Sequence, residues 1–166
     1  MKGEELVAAI VEANGGALTG RTRLQKTVYL LNQLGLETDL HFFYHEYGPF
    51  SPDLSFAVDV AKAERWLTEE ERRRDRDRVP YSVFSVQPGA PLSNEIREQV
   101  ARYVKIIQLL ANSPAVVLEL AASAHYLKEH GHSADWEAEV GRRKGPKTEG
   151  GRLQKAVSLL KELNLT

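Results

Sequence analysis

The chain has 166 residues, 42% of them hydrophobic and 27% charged, which suits one soluble domain with a proper core and leaves disorder to short segments. A formal net charge of -1 excludes a generally basic protein that coats nucleic acid, and the lack of cysteine excludes disulfides, thiolate catalysis and zinc sites built on sulfur. The N-terminus MKGEELVAAIVEANGG carries acidic residues and no long apolar run, and no segment approaches the ~20 apolar residues of a membrane span, so a cytoplasmic protein with no membrane role is expected.

Leu6, Val7, Ile10 and Val11 recur at helical spacing until Gly15-Gly16, predicting a helix over 4–14. Thr19 or Thr22 is placed to cap a second helix, whose stripe of Leu24, Val28, Leu31 and Leu30 or Leu34 stops at Gly35. The aromatic run from His41 to Tyr47 reads as a strand, with Phe42, Tyr44 and Glu46 on one side and His41, Phe43, His45 and Tyr47 on the other. Gly48-Pro49 then makes a tight turn. Ser51-Pro52-Asp53 is a helix start: Ser51 offers an oxygen to unpaired N–H groups, Pro52 has the φ of a first helical position, and Asp53 complements the positive helix end. That helix is expected to run to about Leu67.

Residues 68–78, TEEERRRDRDR, and the alternating VPYSVFSVQPG after them read as a hairpin or wing, closed by Pro88, Gly89 and Pro91 at a boundary between lobes. From a cap at Ser93, the residues Ile96, Val100, Val104 or Tyr103, Ile107 and Leu110 continue a helix. Ser113-Pro114 repeats the Ser-Pro start of residues 51 and 52, ahead of a helix carrying Val117, Leu120, Ala121, Ala124 and Leu127. A short helix over Ser133–Val140, a flexible basic loop GRRKGPKTEGG and a terminal helix RLQKAVSLLKELNL follow. The expected fold is α+β and mostly helical, with a winged-helix-like lobe over 1–88 that bears a β-hairpin wing, and a helical lobe over 89–166 packed on it as one body. RLQKTVYLLNQLGL and RLQKAVSLLKELNL match at nine of fourteen positions, which shared helix-forming residues explain better than duplication.

Little in the chain supports catalysis or a cofactor. No Gly-x-Ser-x-Gly elbow is present, Ser51 is better used as a cap, and His45 and Glu46, as strand neighbours, point to opposite faces. His41 and His45 share a strand face but lie ~13 Å apart, too far to grip one ion directly, and His130 and His132 add only a weak pair, so no metal site is assigned. GRRKGPKT comes close to a phosphate loop, but Pro146 stands where the second glycine belongs and removes an amide that the cradle needs.

GRTRLQKTVYLLNQLG followed by FFYHEYGPFSPDL resembles the YwgA-like group of bacterial and archaeal proteins and, more remotely, the Panacea (SocA-like antitoxin) domain, with its Leu-Gln-Lys helix and Gly-Pro turn. The likeness is best over residues 20–67. The Glu-x-Trp step that precedes Gly-Pro in the Panacea domain is absent here. What the resemblance implies is an α-rich, non-enzymatic module that binds a protein partner in a toxin–antitoxin or antiviral defence setting, with no catalytic residues to carry over.

The expected partner surface comprises Arg21, Arg23, Lys26, Tyr44, His45, Glu46, Tyr47 and Phe50, because aromatic and arginine side chains give large contact area for few lost rotamers. The alternative is nucleic-acid binding through Arg72, Arg73, Arg74, Arg76 and Arg78 of the wing and Arg142, Arg143, Lys144 and Lys147 of the basic loop. Alternating acidic neighbours weaken the wing contribution, and the helix after Pro52 sets Asp53, Asp59 and Glu64 against Lys62 and Arg65, a poor set for phosphates.

Overall fold

Periodic apolar stretches become helices wherever caps and stops permit. In the computed structural model, which describes residues 2–166, α1 spans Gly3–Ala13, α2 Arg21–Gln33, α3 Pro52–Ala63, α4 Asn94–Ala101, α5 Val104–Ala111, α6 Ala115–Glu129, α7 Trp136–Lys144 and α8 Arg152–Glu162. The strands are β1 (Ala17–Thr19), β2 (Phe43–His45), β3 (Gly48–Phe50), β4 (Leu67–Arg73) and β5 (Pro80–Val86), which makes the fold α+β. One antiparallel sheet has the order β1-β5-β4, and β2 pairs with β3 in a second.

The core is built around α2. Its Leu24, Val28 and Leu31 pack with α1, with Leu54 and Val58 of α3, with Phe84 of β5 and with Ile96 and Val100 of α4. The opposite side presents Tyr29 and Leu30 to Leu118 and Ala122 of α6, Val140 of α7 and Leu159 and Leu160 of α8. Phe42 and Ile106 touch both clusters. Leu92, Ile96, Val100 and Ile107 belong to the first cluster, so α4 and part of α5 pack with the N-terminal elements although they follow Pro88. Burying both sides of one helix couples the two cores through its backbone.

Ser51 caps α3 as its position suggests: Oγ accepts the Leu54 amide at 3.2 Å, and Pro52 takes the first helical position. The hydroxyl is fully buried, so Ser51→Ala is expected to lower the unfolding free energy by about 1–2 kcal/mol, measurable by urea denaturation with an unchanged m-value. Gly35, at φ 106°, closes α2 with the Leu36 amide on the Leu31 carbonyl at 3.0 Å.

Several elements differ from the sequence-based expectation. The α3 helix stops at Ala63, not near Leu67, because Arg65 takes a left-handed φ of 62° and the Trp66 amide reaches back to the Ala61 carbonyl, an ending usually signalled by glycine. Neither Thr19 nor Thr22 caps α2; Gly20 stands at the cap and Thr19 pairs with Val83 in β1. Gly48-Pro49-Phe50 is a strand paired with Phe43–His45, and the turn falls at Glu46-Tyr47. The stretch after Ser93 breaks at Arg102-Tyr103 into α4 and α5. Ser113 is not a second Ser51: Pro114 itself holds the cap position of α6, and Ser113 Oγ donates back to the Leu109 carbonyl at 2.8 Å.

Candidate functional site

The stretch Tyr44–Phe50 is fixed from below by side chains of three helices. Gln25 of α2 brackets Ser51, accepting its amide at 2.9 Å and donating to its carbonyl at 3.0 Å. Lys26 Nζ donates to the Pro49 carbonyl at 2.8 Å, and Lys144 Nζ donates to the Glu46 carbonyl at 2.9 Å and to Glu119 Oε1 of α6 at 3.0 Å. Glu119 also accepts both oxygens' worth of contact from Lys147 Nζ, each at 3.1 Å. Gly48 lies flat on α6 with φ 91° and no room for a side chain. The hairpin is therefore clamped by buried polar groups, which makes its backbone rigid and leaves its outer side chains to the surface.

Above this clamp, α2, the hairpin and α3 enclose a cleft of about 290 Å³. Leu24, Leu54, Val58 and Phe84 form its apolar floor, and Arg21, His45, Tyr47 and Phe50 stand at its margin. Phe50 contacts the His45 ring at 5.4 Å, and Lys147 lies 4.9 Å from the centre of the Tyr47 ring. Tyr47 is 48% exposed and Phe43, on the outer face of β2, 60%, so two large rings of the hairpin remain uncovered. Five of the residues expected to meet a partner, Arg21, Lys26, His45, Tyr47 and Phe50, line this one cleft.

Three of those eight residues play a different part from the one their chemistry suggested. Lys26 is 1% exposed and bound to Pro49, so it is no exposed cation but an ammonium sunk in the cleft wall. Arg23 is half-buried, donating to the Thr19 carbonyl at 2.6 Å and the Ser113 carbonyl at 3.0 Å, which ties α2 to the α5–α6 turn. Tyr44 turns inward to Tyr126, with Arg143 stacked 4.6 Å over its ring. Arg21 keeps an exposed side chain but is held by Glu69 of β4, which also takes Lys62 at 2.8 Å and the Ser82 hydroxyl at 2.6 Å; this donor set, Arg21 foremost, pulls the Glu69 carboxyl down to about 2.

Burial lowers the Lys26 ammonium to about 8, with nearby Lys144 and Lys147 adding to the effect and Glu119 opposing it. Between pH 8 and the ordinary lysine range near 10.5 the unfolded chain binds a proton that the folded protein does not, so stability rises with pH across that window. The expected gain is on the order of 2–3 kcal/mol, read from denaturant midpoints at pH 8 and 10.5 against Lys26→Met, which should lose most of the slope and keep only what Lys144, whose ammonium burial also lowers, contributes.

The residues of the alternative reading are not gathered on one loop. Residues 141–144 continue α7, and 145–148 form a 3₁₀ turn, where a flexible loop was expected. Glu139 pairs with Arg142 and with Arg143, three and four residues on, and Lys144 is buried against Glu119, so the basic run is helix held by its own carboxylates. The i, i+3/i+4 spacing of Glu139, Arg142 and Arg143 is the sequence signal for this helix. In the wing, Arg72 pairs with Glu70 at 3.1 Å, Arg73 with Glu71 at 3.6 Å, and Arg74 and Arg76 with Asp77 at 2.6 and 3.9 Å. Arg78 takes a left-handed φ of 59° near the wing tip.

The histidines stay apart. His41 sits 3.6 Å from Asp53, His130 stacks on Tyr126 at 3.9 Å, and His125, outside the expected set, bonds the Tyr29 hydroxyl at 2.8 Å in the second core. His132, Asp135 and Glu139 bring ligand atoms within 4.8 Å of one another, but Glu139 is already saturated by two guanidinium groups. Ser51, with its hydroxyl on a helix amide, has no histidine as a hydrogen-bonding neighbour among the described residues.

Compared with family models and with curated proteins, the chain matches none. Among the described residues no single helix is long and apolar enough to cross a membrane.

Proposed function

We propose that the protein is a non-enzymatic interaction module that binds another protein through the outer face of the β2–β3 hairpin and the cleft beside it. The observation that carries this reading is the apolar cleft on a clamped hairpin: a floor of Leu24, Leu54, Val58 and Phe84 with exposed Tyr47 at its margin and exposed Phe43 on the same hairpin. A rigid, partly apolar site loses little entropy on association. The order α1-β1-α2-β2-β3-α3-β4-β5, three helices and a strand pair followed by an antiparallel wing, is the basis for reading the N-terminal part as winged-helix-like. The resemblance to the YwgA-like group and the Panacea domain supports an antitoxin-like or antiviral-defence role. Affinity purification from the source cell with the natural protein and with Tyr47→Glu tests the reading. A partner held by the first and lost from the second, with both folded, is expected; identical captures overturn it.

A second reading has one observation in its favour. Arg21, Arg23, Arg72, Arg73 and Arg74 line a groove of about 1110 Å³ between the wing and the start of α2, with Asp75 the sole carboxylate among them. In this reading the groove takes a nucleic-acid backbone. Affinity for mixed-sequence DNA that falls steeply between 50 and 200 mM salt would favour it over the first; absence of binding at low salt removes it.

A further inference from the structure

The cleft beside the hairpin combines an apolar floor with cations and no carboxylate. Its lining includes Arg21, Lys26 and His45, and no Asp or Glu. Arg21 is spoken for by Glu69. Lys26 is not: among the described residues its ammonium has one hydrogen-bond acceptor, the Pro49 carbonyl, which occupies one of three N–H donors. That ammonium is almost wholly removed from water, and the nearest buried charges leave it unbalanced, since the Glu119 carboxylate is shared by Lys144 and Lys147. A buried cation with spare donors and only a share of one distant carboxylate is costly unless something anionic completes it. The lowered proton affinity of Lys26 is the sign of that cost.

The size of the cleft narrows the occupant. At about 290 Å³ it lies at the low end of the roughly 300–1,000 Å³ of ligand pockets, room for one or two side chains but not for a strand or a helix. Its inner wall is closed by Leu24, Leu54 and Phe84, each at most 2% exposed, so an occupant enters and leaves by the same open side.

We propose that the cleft receives the C-terminal residue of a partner chain, an apolar side chain on the floor and the terminal carboxylate on the Lys26 ammonium. This rests on the interaction-module reading and specifies which part of the partner is recognised. The carboxylate supplies the missing counter-charge and two acceptor oxygens, and the side chain covers Leu54, Val58 and Phe84, so one residue satisfies both halves of the site.

The test uses the full chain and three short peptides: N-acetyl-Gly-Leu-Phe as the free acid, the same peptide as its C-terminal amide, and N-acetyl-Glu-Leu-Phe amide, whose carboxylate is on a side chain. Calorimetry gives affinities, and backbone amide shifts of Thr22, Phe50 and Ser55 report the site. The free acid is expected to bind at least tenfold tighter than either amide, with shifts at those three residues. Lys26→Met should level the acid with the amide, and Ser55→Phe, which fills the cleft from α3 and keeps every charge, should abolish binding; the second variant decides the matter if the first does not fold. Equal binding of acid and amide overturns the carboxylate, and tightest binding of the Glu peptide overturns the chain terminus as its source. If no peptide binds while Tyr47→Glu still releases the captured partner, this inference falls and the interaction module stands; if that variant releases nothing, both fall.

Discussion

Gly48→Ala is expected to destabilise the protein by roughly 3 kcal/mol or more, the largest effect of any single methyl group in the chain. Two causes act together. A Cβ at this position would lie 2.2 Å from Ser123 Oγ, far inside van der Waals contact, and 3.4 Å from Ser123 Cβ, at the edge of ordinary contact, and the φ of 91° is one that side chains rarely adopt. The two can be separated. Ser123 Oγ is buried with no hydrogen-bond partner among the described residues, so Ser123→Ala alone should cost little. In the double variant the worst overlap disappears and only the backbone penalty remains, which predicts a coupling of about 1–2 kcal/mol in a double-mutant cycle of unfolding free energies. Additive costs would mean that the hairpin does not press on α6.

Glu119→Gln should destabilise by about 3–5 kcal/mol, for an electrostatic reason. The Glu119 and Lys144 side chains are 4% and 2% exposed, and the carboxylate also holds Lys147. Neutralising it leaves Lys144 buried without its ion-pair partner, close to Lys26, while the hydrogen-bonding shape is nearly kept. Adding Lys144→Met removes the stranded charge and is expected to recover about half of the loss, although the Glu46 carbonyl then lacks its donor. Thermal unfolding of the two variants separates charge from shape: equal stability would show that packing, not charge, dominates at this junction. Because the clamp holds the hairpin, both Gly48→Ala and Glu119→Gln should also weaken peptide binding in the cleft before they unfold the chain.

The helices were legible because burial on one side writes a period of 3.6 into the sequence; Leu24, Val28 and Leu31 in α2 and the Ser51-Pro52 start of α3 are examples. The hairpin of β4 and β5 was legible from a β-branched and aromatic run, Tyr81 to Val86, set beside a charged one, although Val83 and Phe84 are both buried and burial does not alternate there. Local signals failed where a different residue did a familiar job or where the decision was made at a distance. Arg65 ends α3 in a conformation usually left to glycine, and β1 is three residues long, a strand only because Ser85, Phe84 and Val83 lie beside it.

The site divides in the same way. Residue types alone marked Arg21, Arg23, Lys26, Tyr44, His45, Glu46, Tyr47 and Phe50 as one surface, because aromatic and arginine side chains give large contact area for few lost rotamers. Their roles came from packing. Lysine at position 26 and lysine at position 155 follow the same Arg-Leu-Gln, yet the first is buried under Pro49 and the second is exposed, since α2 lies between two cores and α8 covers only one. Chain-local chemistry determined which segments would be helix, wing and aromatic strand, while the pairing of Gly48–Phe50 with Phe43–His45 came from the fold. Only the tertiary structure decided which charges left water, because burial of a side chain depends on what the rest of the chain sets down on top of it.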